Sequence, residues 1–131
     1  MTLVLACLTD DAVYLVSDRR LTSSRPPHAV VDDDCNKAVF LDGRIAFGYT
    51  GLAEIAGTRT DDWLATALAD GPTNDLSLTA ARVAQRASAD FASMHLPLEW
   101  KRHAFLGAGW FRLKGETTLA PGLLQIETPR V

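Results

Sequence analysis

The chain has only two cysteines, Cys7 and Cys35, too few and too poorly placed for a disulfide scaffold, so the plain reading is a pair of reduced thiols. It has no apolar run approaching the roughly 20 residues a bilayer-spanning helix needs. An early acidic pair, Asp10-Asp11, does not fit a secretory leader, and the expected location is the cytoplasm. It also lacks a basic cluster: thirteen Lys and Arg are scattered along 131 residues against sixteen Asp and Glu, a net charge of -3, which excludes an electrostatic footprint for nucleic acid. There is no internal repeat and no low-complexity segment. His28, His95 and His103 have no partner at metal-ligand spacing and read as surface or loop residues, and the run Asp32-Asp33-Asp34 lacks the glycine and spaced oxygens of a calcium loop. No metal and no cofactor is expected. With hydrophobic residues at 47% and charged residues at 22%, disorder is excluded, and the length suits one domain with a moderate core.

What is present begins at the first residues. Apolar runs Leu3 to Leu8 and Ala12 to Ser17 flank the polar turn Thr9-Asp10-Asp11, the pattern of a β-hairpin. Neither run alternates, so both faces are expected to be covered, with Cys7 pointing from a buried strand. Arg19 to Asn36 is a polar connection in which Pro26-Pro27 forbids regular structure. A second hairpin follows: Lys37 to Leu41, a two-residue Asp42-Gly43 turn, then Arg44 to Thr50. Gly48-Tyr49-Thr50-Gly51 leads into an expected helix from about Leu52 to Ala69, weak at Gly57-Thr58 and stopped at Gly71-Pro72. Ser77 is the expected N-cap of another helix, whose stripe Ala80, Ala84, Ala87, Phe91 and Met94 runs until Pro97. Arg102 to Phe111 and Leu123 to Thr128 read as strands around the turn Arg112 to Gly115, and Trp63, Trp100 and Trp110 as packing residues. Four strands, two helices and two strands imply an α+β chain of antiparallel sheet and helix layers.

Three stretches carry chemistry together. Thr2 opens the first strand; removal of Met1, which a small second residue permits, would leave a hydroxyl and a free amine on one residue, a nucleophile with its own base. Ser17-Asp18-Arg19-Arg20 closes the second strand, and Asn36-Lys37 through Tyr49-Thr50-Gly51 frames the second hairpin. Singly, Thr2 is an ordinary second residue, Asp18 a strand-end carboxylate, Lys37 a surface cation and Gly51 a helix-entry glycine. Jointly they resemble the proteasome β-subunit type of N-terminal-nucleophile hydrolase, including bacterial relatives that form simpler rings. The intervals from Thr2 to Asp18 and from Lys37 to Gly51 match the family pattern, and the longer interval from Thr2 to Lys37 fits an insertion within Arg19 to Asn36.

The resemblance implies an αββα sandwich of antiparallel sheets and a threonine-type peptidase or amidase acting through an ester intermediate. It implies Thr2 as nucleophile and base, Lys37 as the cation that favours the alkoxide, Asp18 as the carboxylate holding that cation, and the Gly51 N–H at a helix start as oxyanion donor. Leu21, Cys35, Tyr49 and Ala53 would line a specificity pocket, with Tyr49 near its base favouring modest apolar or uncharged side chains. The implied partners are a peptide or protein substrate, further copies in a homo-oligomeric ring, and an ATP-dependent unfoldase. Family members are substantially longer, and the segment that would follow Val131, with its two helices and the serine and aspartate that hydrogen-bond the threonine, is not in this sequence. The expectation is a fragment of a longer reading frame or a shortened relative that completes its sheets by association, and a non-catalytic structural or binding subunit of the same fold stands as the alternative.

Overall fold

The computed structural model describes residues 2–23, 25–70 and 75–128. Its elements, in chain order, are strands β1 (Val4–Leu8), β2 (Val13–Ser17), β3 (Leu21–Thr22), β4 (Val30–Asp32), β5 (Ala38–Leu41), β6 (Ile45–Thr50), β7 (Glu54–Ile55) and β8 (Thr58–Arg59). Helices α1 (Thr60–Ala69) and α2 (Leu76–Ser93), a 3₁₀ turn (Leu98–Trp100) and strands β9 (Ala104–Arg112) and β10 (Leu119–Glu127) complete it. The centre is a four-stranded sheet of order β10-β9-β6-β5, antiparallel throughout. Among the described residues this is an α+β arrangement of antiparallel sheets with two α-helices.

Alternation along β6 sorts the layers. Ile45, Phe47 and Tyr49 enter the main core with Trp63, Leu64 and Leu68 of α1 and Val83, Ala87 and Phe91 of α2. Gly48 faces the other way, toward the β1–β2 hairpin, where a Cβ would stand 2.6 Å from Val4 Cγ1 and 3.2 Å from Leu15 Cδ2. The missing side chain lets the hairpin lie close on the sheet. Three layers result: helices, four-stranded sheet, two-stranded hairpin.

The first hairpin forms as its sequence reads, with Leu5 opposite Val16 and Cys7 opposite Tyr14, and its turn closed by the Thr9 N–H on Ala12 O at 2.9 Å. Its two faces differ, however. Val4, Ala6 and Leu15 turn inward, whereas Leu3, Leu5, Tyr14 and Val16 are exposed, and so is Cys7. The expectation of cover on both faces is therefore corrected: one layer packs on the hairpin, and continuous apolar sequence did not distinguish one from two.

Other boundaries move for local reasons. The Asp42-Gly43 turn has both residues at positive φ and the Arg44 N–H on Leu41 O, but Leu41 pairs with Ile45, so Arg44 is an extra residue and the loop is longer than two. The polar connection contains a short ribbon, β3 on β4. The helix expected from Leu52 starts at Thr60, because Ala56 and Gly57 take positive φ and fold residues 54–59 into the β7–β8 hairpin. Thr60 then ties the start of α1 back, its N–H to Ala53 O and its hydroxyl to Leu52 O at 2.7 Å. The expected stop at Gly71-Pro72 lies outside the described residues.

Asp75, not Ser77, caps α2, its carboxylate accepting from the Leu78 N–H at 3.0 Å. Leu76, Thr79 and Val83 join Ala80, Ala87 and Phe91 on the buried face, while Ala84 is half-buried, so the stripe is less purely alanine than its rhythm suggested. β10 begins at Leu119, earlier than expected; as an edge strand it accommodates Pro121. Trp63 packs in the core, but Trp100 is exposed on the 3₁₀ turn. His28 and His95 are at the surface, whereas His103 is buried, correcting the surface reading for that residue. No helix among the described residues is long and apolar enough to cross a membrane.

Candidate active site

β1 and β2 run antiparallel, so the start of one and the end of the other share an edge of the hairpin. The ladder continues one step past Val4 and Ser17: the Asp18 N–H donates to Leu3 O at 3.0 Å, and the Leu3 N–H returns a bond to Asp18 Oδ1 at 3.2 Å. This fixes the carboxylate beside Thr2. Lys37 arrives from below, just ahead of β5, its carbonyl held by the Tyr49 N–H at 3.1 Å. The close approach permitted at Gly48 brings its stem under the hairpin.

Lys37 is 1% exposed, and its ammonium has three acceptors: Asp18 Oδ1 at 2.9 Å, Thr2 Oγ1 at 3.5 Å and the carbonyl of Arg20. Three donors meet three oxygens, so the buried cation is satisfied. A buried lysine paired to one carboxylate is weak support for stability, because an apolar residue of similar volume often does as well or better. Its placement against a hydroxyl has a chemical consequence instead. An ammonium on Thr2 Oγ1 stabilises negative charge there and leaves the hydroxyl proton to be taken from another side.

Asp18 sits at the rim with its side chain one-third exposed. Burial opposes its ionisation, but the hydrogen bonds from Lys37 Nζ and the Leu3 N–H, with the charge of the ammonium, outweigh it and hold the carboxyl below the ordinary range. The carboxylate is therefore ionised at neutral pH, as an orienting group for Lys37 must be.

Around this trio the ribbon β3–β4 forms one wall. Leu21 pairs with Asp32, and the Cys35 N–H bonds Arg19 O at 3.0 Å. Arg20 and Arg19 pair on the outside with Asp33 and Asp34, both at 2.8 Å, so two members of the acidic run anchor the ribbon. Among the described residues no three metal-binding side chains cluster. Cys35 is buried with its Sγ 3.5 Å from the Tyr49 hydroxyl, which donates to Asn36 O at 3.2 Å. Burial, then the contact with Cys35, push the Tyr49 hydroxyl well above its ordinary value, so it stays protonated. Tyr49 is 2% exposed.

Of the residues singled out in the sequence, Thr2, Asp18 and Lys37 meet, and Cys35 and Tyr49 touch each other. Gly51 is exposed at φ +116° in the segment that leaves β6. A Cβ there would stand 2.4 Å from Arg102 O and 2.8 Å from His103 Nδ1. With α1 starting at Thr60, the Gly51 amide is not at a helix start, so the macrodipole argument for it falls away. Ala53 follows in the same segment, half-buried, its carbonyl taken by Thr60. Two partners escaped the sequence: the Arg20 carbonyl, which carries no side-chain signal, and His103, whose Nδ1 accepts the Leu52 N–H at 3.1 Å and thereby holds the Gly51–Leu52 segment. His103 follows Arg102 into β9, and only the pairing of Thr50 with Ala104 places it beside Leu52. No family model matches the sequence, and no curated protein matches it.

Proposed function

We propose that the chain is a threonine-type N-terminal-nucleophile peptidase or amidase that becomes competent when Met1 is removed. The observation that carries this reading is the buried Lys37 ammonium held between Asp18 Oδ1 and Thr2 Oγ1. In this reading the Thr2 α-amine, with an ordinary pKa of about 7.7 to 8.0, takes the Oγ1 proton through a water at neutral pH. Oγ1 attacks the carbonyl carbon of the scissile amide, with Lys37 stabilising the developing charge on Oγ1 and the Gly51 N–H receiving that on the carbonyl oxygen. The C–N bond then breaks, the proton passes to the leaving amine, and an ester remains on Thr2. Water attacks the ester, the acid product leaves, and Oγ1 regains its proton.

The fold class proposed with it is the αββα sandwich, of which helix, sheet and hairpin layers would be three. The exposed apolar face of the hairpin favours association with further copies in a ring. Such a ring would take peptide or protein substrates in the cytoplasm, supplied by an ATP-dependent unfoldase. The test is the intact mass of protein purified from its natural reading frame, followed by a fluorogenic peptide assay. A mass lacking one methionine, with hydrolysis lost in Thr2→Ala, is the expected result. Retained Met1 in the assembled protein would transfer the fold to the alternative, a non-catalytic structural or binding subunit.

A further inference from the structure

Pairing between β6 and β9 ends with Thr50 opposite Ala104, so Gly51, Leu52 and Ala53 run outside the ladder of the main sheet. Their backbone groups need partners from elsewhere. Gly51 takes φ +116°, a conformation that side-chain-bearing residues rarely adopt and that leaves the chain free to swing unless something holds it. Leu52 is held from both sides. Its carbonyl accepts from the buried Thr60 hydroxyl at 2.7 Å, and its N–H donates to His103 Nδ1 at 3.1 Å.

The imidazole that takes this amide is itself immobilised. It is 5% exposed, stacked on Tyr49 with ring centroids 5.8 Å apart, and tilted against Phe91 and Phe105. Its backbone is tied to the residue after β10: the His103 N–H donates to Thr128 Oγ1 and the His103 carbonyl accepts from the Thr128 N–H, both at 3.1 Å. Burial lowers the imidazole pKa to about 4, so the ring is neutral at ordinary pH and Nδ1 keeps the lone pair that Leu52 uses. The other ring nitrogen, Nε2, is buried and has no hydrogen-bond partner among the described residues. A phenyl ring would fill the same space without that unpaired donor, so the polar service of this residue is the bond to Leu52. Gly51 lies directly on it, since a Cβ there would stand 2.9 Å from His103 Cα.

We propose that His103 is a positioning residue for the hydrolytic reaction, locking the Gly51–Leu52 peptide plane so that the Gly51 N–H keeps its aim at the substrate carbonyl oxygen, a role that rests on the peptidase reading of Thr2. Two peptide planes meet at the Gly51 Cα. The first continues from β6 and carries the Gly51 N–H; the second is the plane that His103 holds. Without that hold, glycine lets the two rotate against each other, and an oxyanion donor is effective only when its direction is set before the charge develops.

Two variants separate the hydrogen bond from the packing. His103→Phe keeps a ring against Tyr49 and removes the acceptor, whereas His103→Asn gives up the ring and presents its Oδ1 close to where Nδ1 stands. Fluorogenic peptide hydrolysis, urea unfolding and hydrogen exchange of the Leu52 amide are measured on protein expressed from its natural reading frame. His103→Phe is expected to unfold at no lower urea than wild type at pH 7, while its kcat falls about tenfold with KM within about twofold, part of the 10² to 10³ that losing an oxyanion donor outright costs. Its Leu52 amide should exchange about tenfold faster, the scale of one lost hydrogen bond. His103→Asn is expected to be the less stable variant, through its lost ring packing, yet to recover most of the kcat. Unchanged Leu52 exchange in His103→Phe, a change confined to KM, or a kcat that follows stability instead of the acceptor would overturn the role of His103 and leave the peptidase reading standing. Wild type that has lost Met1 and hydrolyses no peptide would overturn both.

Discussion

At the scale of single residues the account turns on one buried cation. Lys37 Nζ lies 2.9 Å from Asp18 and 3.5 Å from the Thr2 hydroxyl, so removing either charged partner has distinguishable effects. Lys37→Met keeps the stem and removes the ammonium; peptide hydrolysis is expected to fall about 10² to 10³-fold, the usual cost of losing one preorganised electrostatic partner. Asp18→Asn leaves the ammonium buried without its counter-charge and is expected to destabilise the fold by about 2 to 4 kcal/mol in urea titrations at pH 7. The sign with pH follows from the depressed Asp18 carboxyl. Its contribution is present above the unfolded value of about 3.9 and is lost as pH falls through the lower folded value. The stability gap between wild type and Asp18→Asn should therefore narrow in acid, and a constant gap would contradict the pairing. Thr2, Asp18 and Lys37 were singled out in the sequence through the family resemblance; the register of the first hairpin brings Thr2 and Asp18 to one edge, whereas Lys37 comes from the separate strand layer that begins at β5. The Arg20 carbonyl was not, since a backbone acceptor leaves no mark in residue type.

Elements position that trio through places where side chains are missing. Gly48→Ala would set a methyl 2.6 Å from Val4 Cγ1, a β-branched side chain with little freedom to move aside, and is expected to destabilise by about 1 to 3 kcal/mol. Because the strain falls between hairpin and sheet, amides of residues 4–8 should lose hydrogen-exchange protection more than those of α2. Gly51→Ala meets both positive φ and backbone at Arg102 O, so it should cost activity and stability together. His103 gives an element-scale pH signature. Its folded pKa of about 4 lies below the unfolded 6.5, so the unfolded chain binds more protons between them and stability falls as pH drops through that window, by up to about 3 kcal/mol. Urea midpoints measured from pH 7 to 4 should show this slope, and His103→Phe should flatten it. The main strands and α2 were legible from apolar rhythm and turn residues. The β7–β8 hairpin was not, because Leu52, Ile55 and Ala56 mimic helical spacing, while positive φ at Ala56 carries no compositional signal.

For the molecule as a whole, the three layers leave one apolar face outside. Leu3, Leu5, Tyr14 and Val16 stand on the hairpin at 55 to 64% exposure, an arrangement associated with interaction surfaces. A Leu5→Thr, Val16→Thr double variant places a β-branched residue, suited to a strand, at both positions while reducing that apolar area. It is expected to sediment as a smaller species than wild type at equal concentration, and unchanged sedimentation would argue against self-association through this face. Central to the account is the claim that Thr2 is a nucleophile with its own amine. The most direct measurement is mass spectrometry of the protein, expressed from its natural reading frame, after exposure to a peptide epoxyketone, which requires amine and hydroxyl on one residue. The account predicts a single adduct on Thr2, absent in Thr2→Ala and reduced in Lys37→Met. An unmodified Thr2 in protein that has lost Met1, or an adduct persisting in Thr2→Ala, would contradict it.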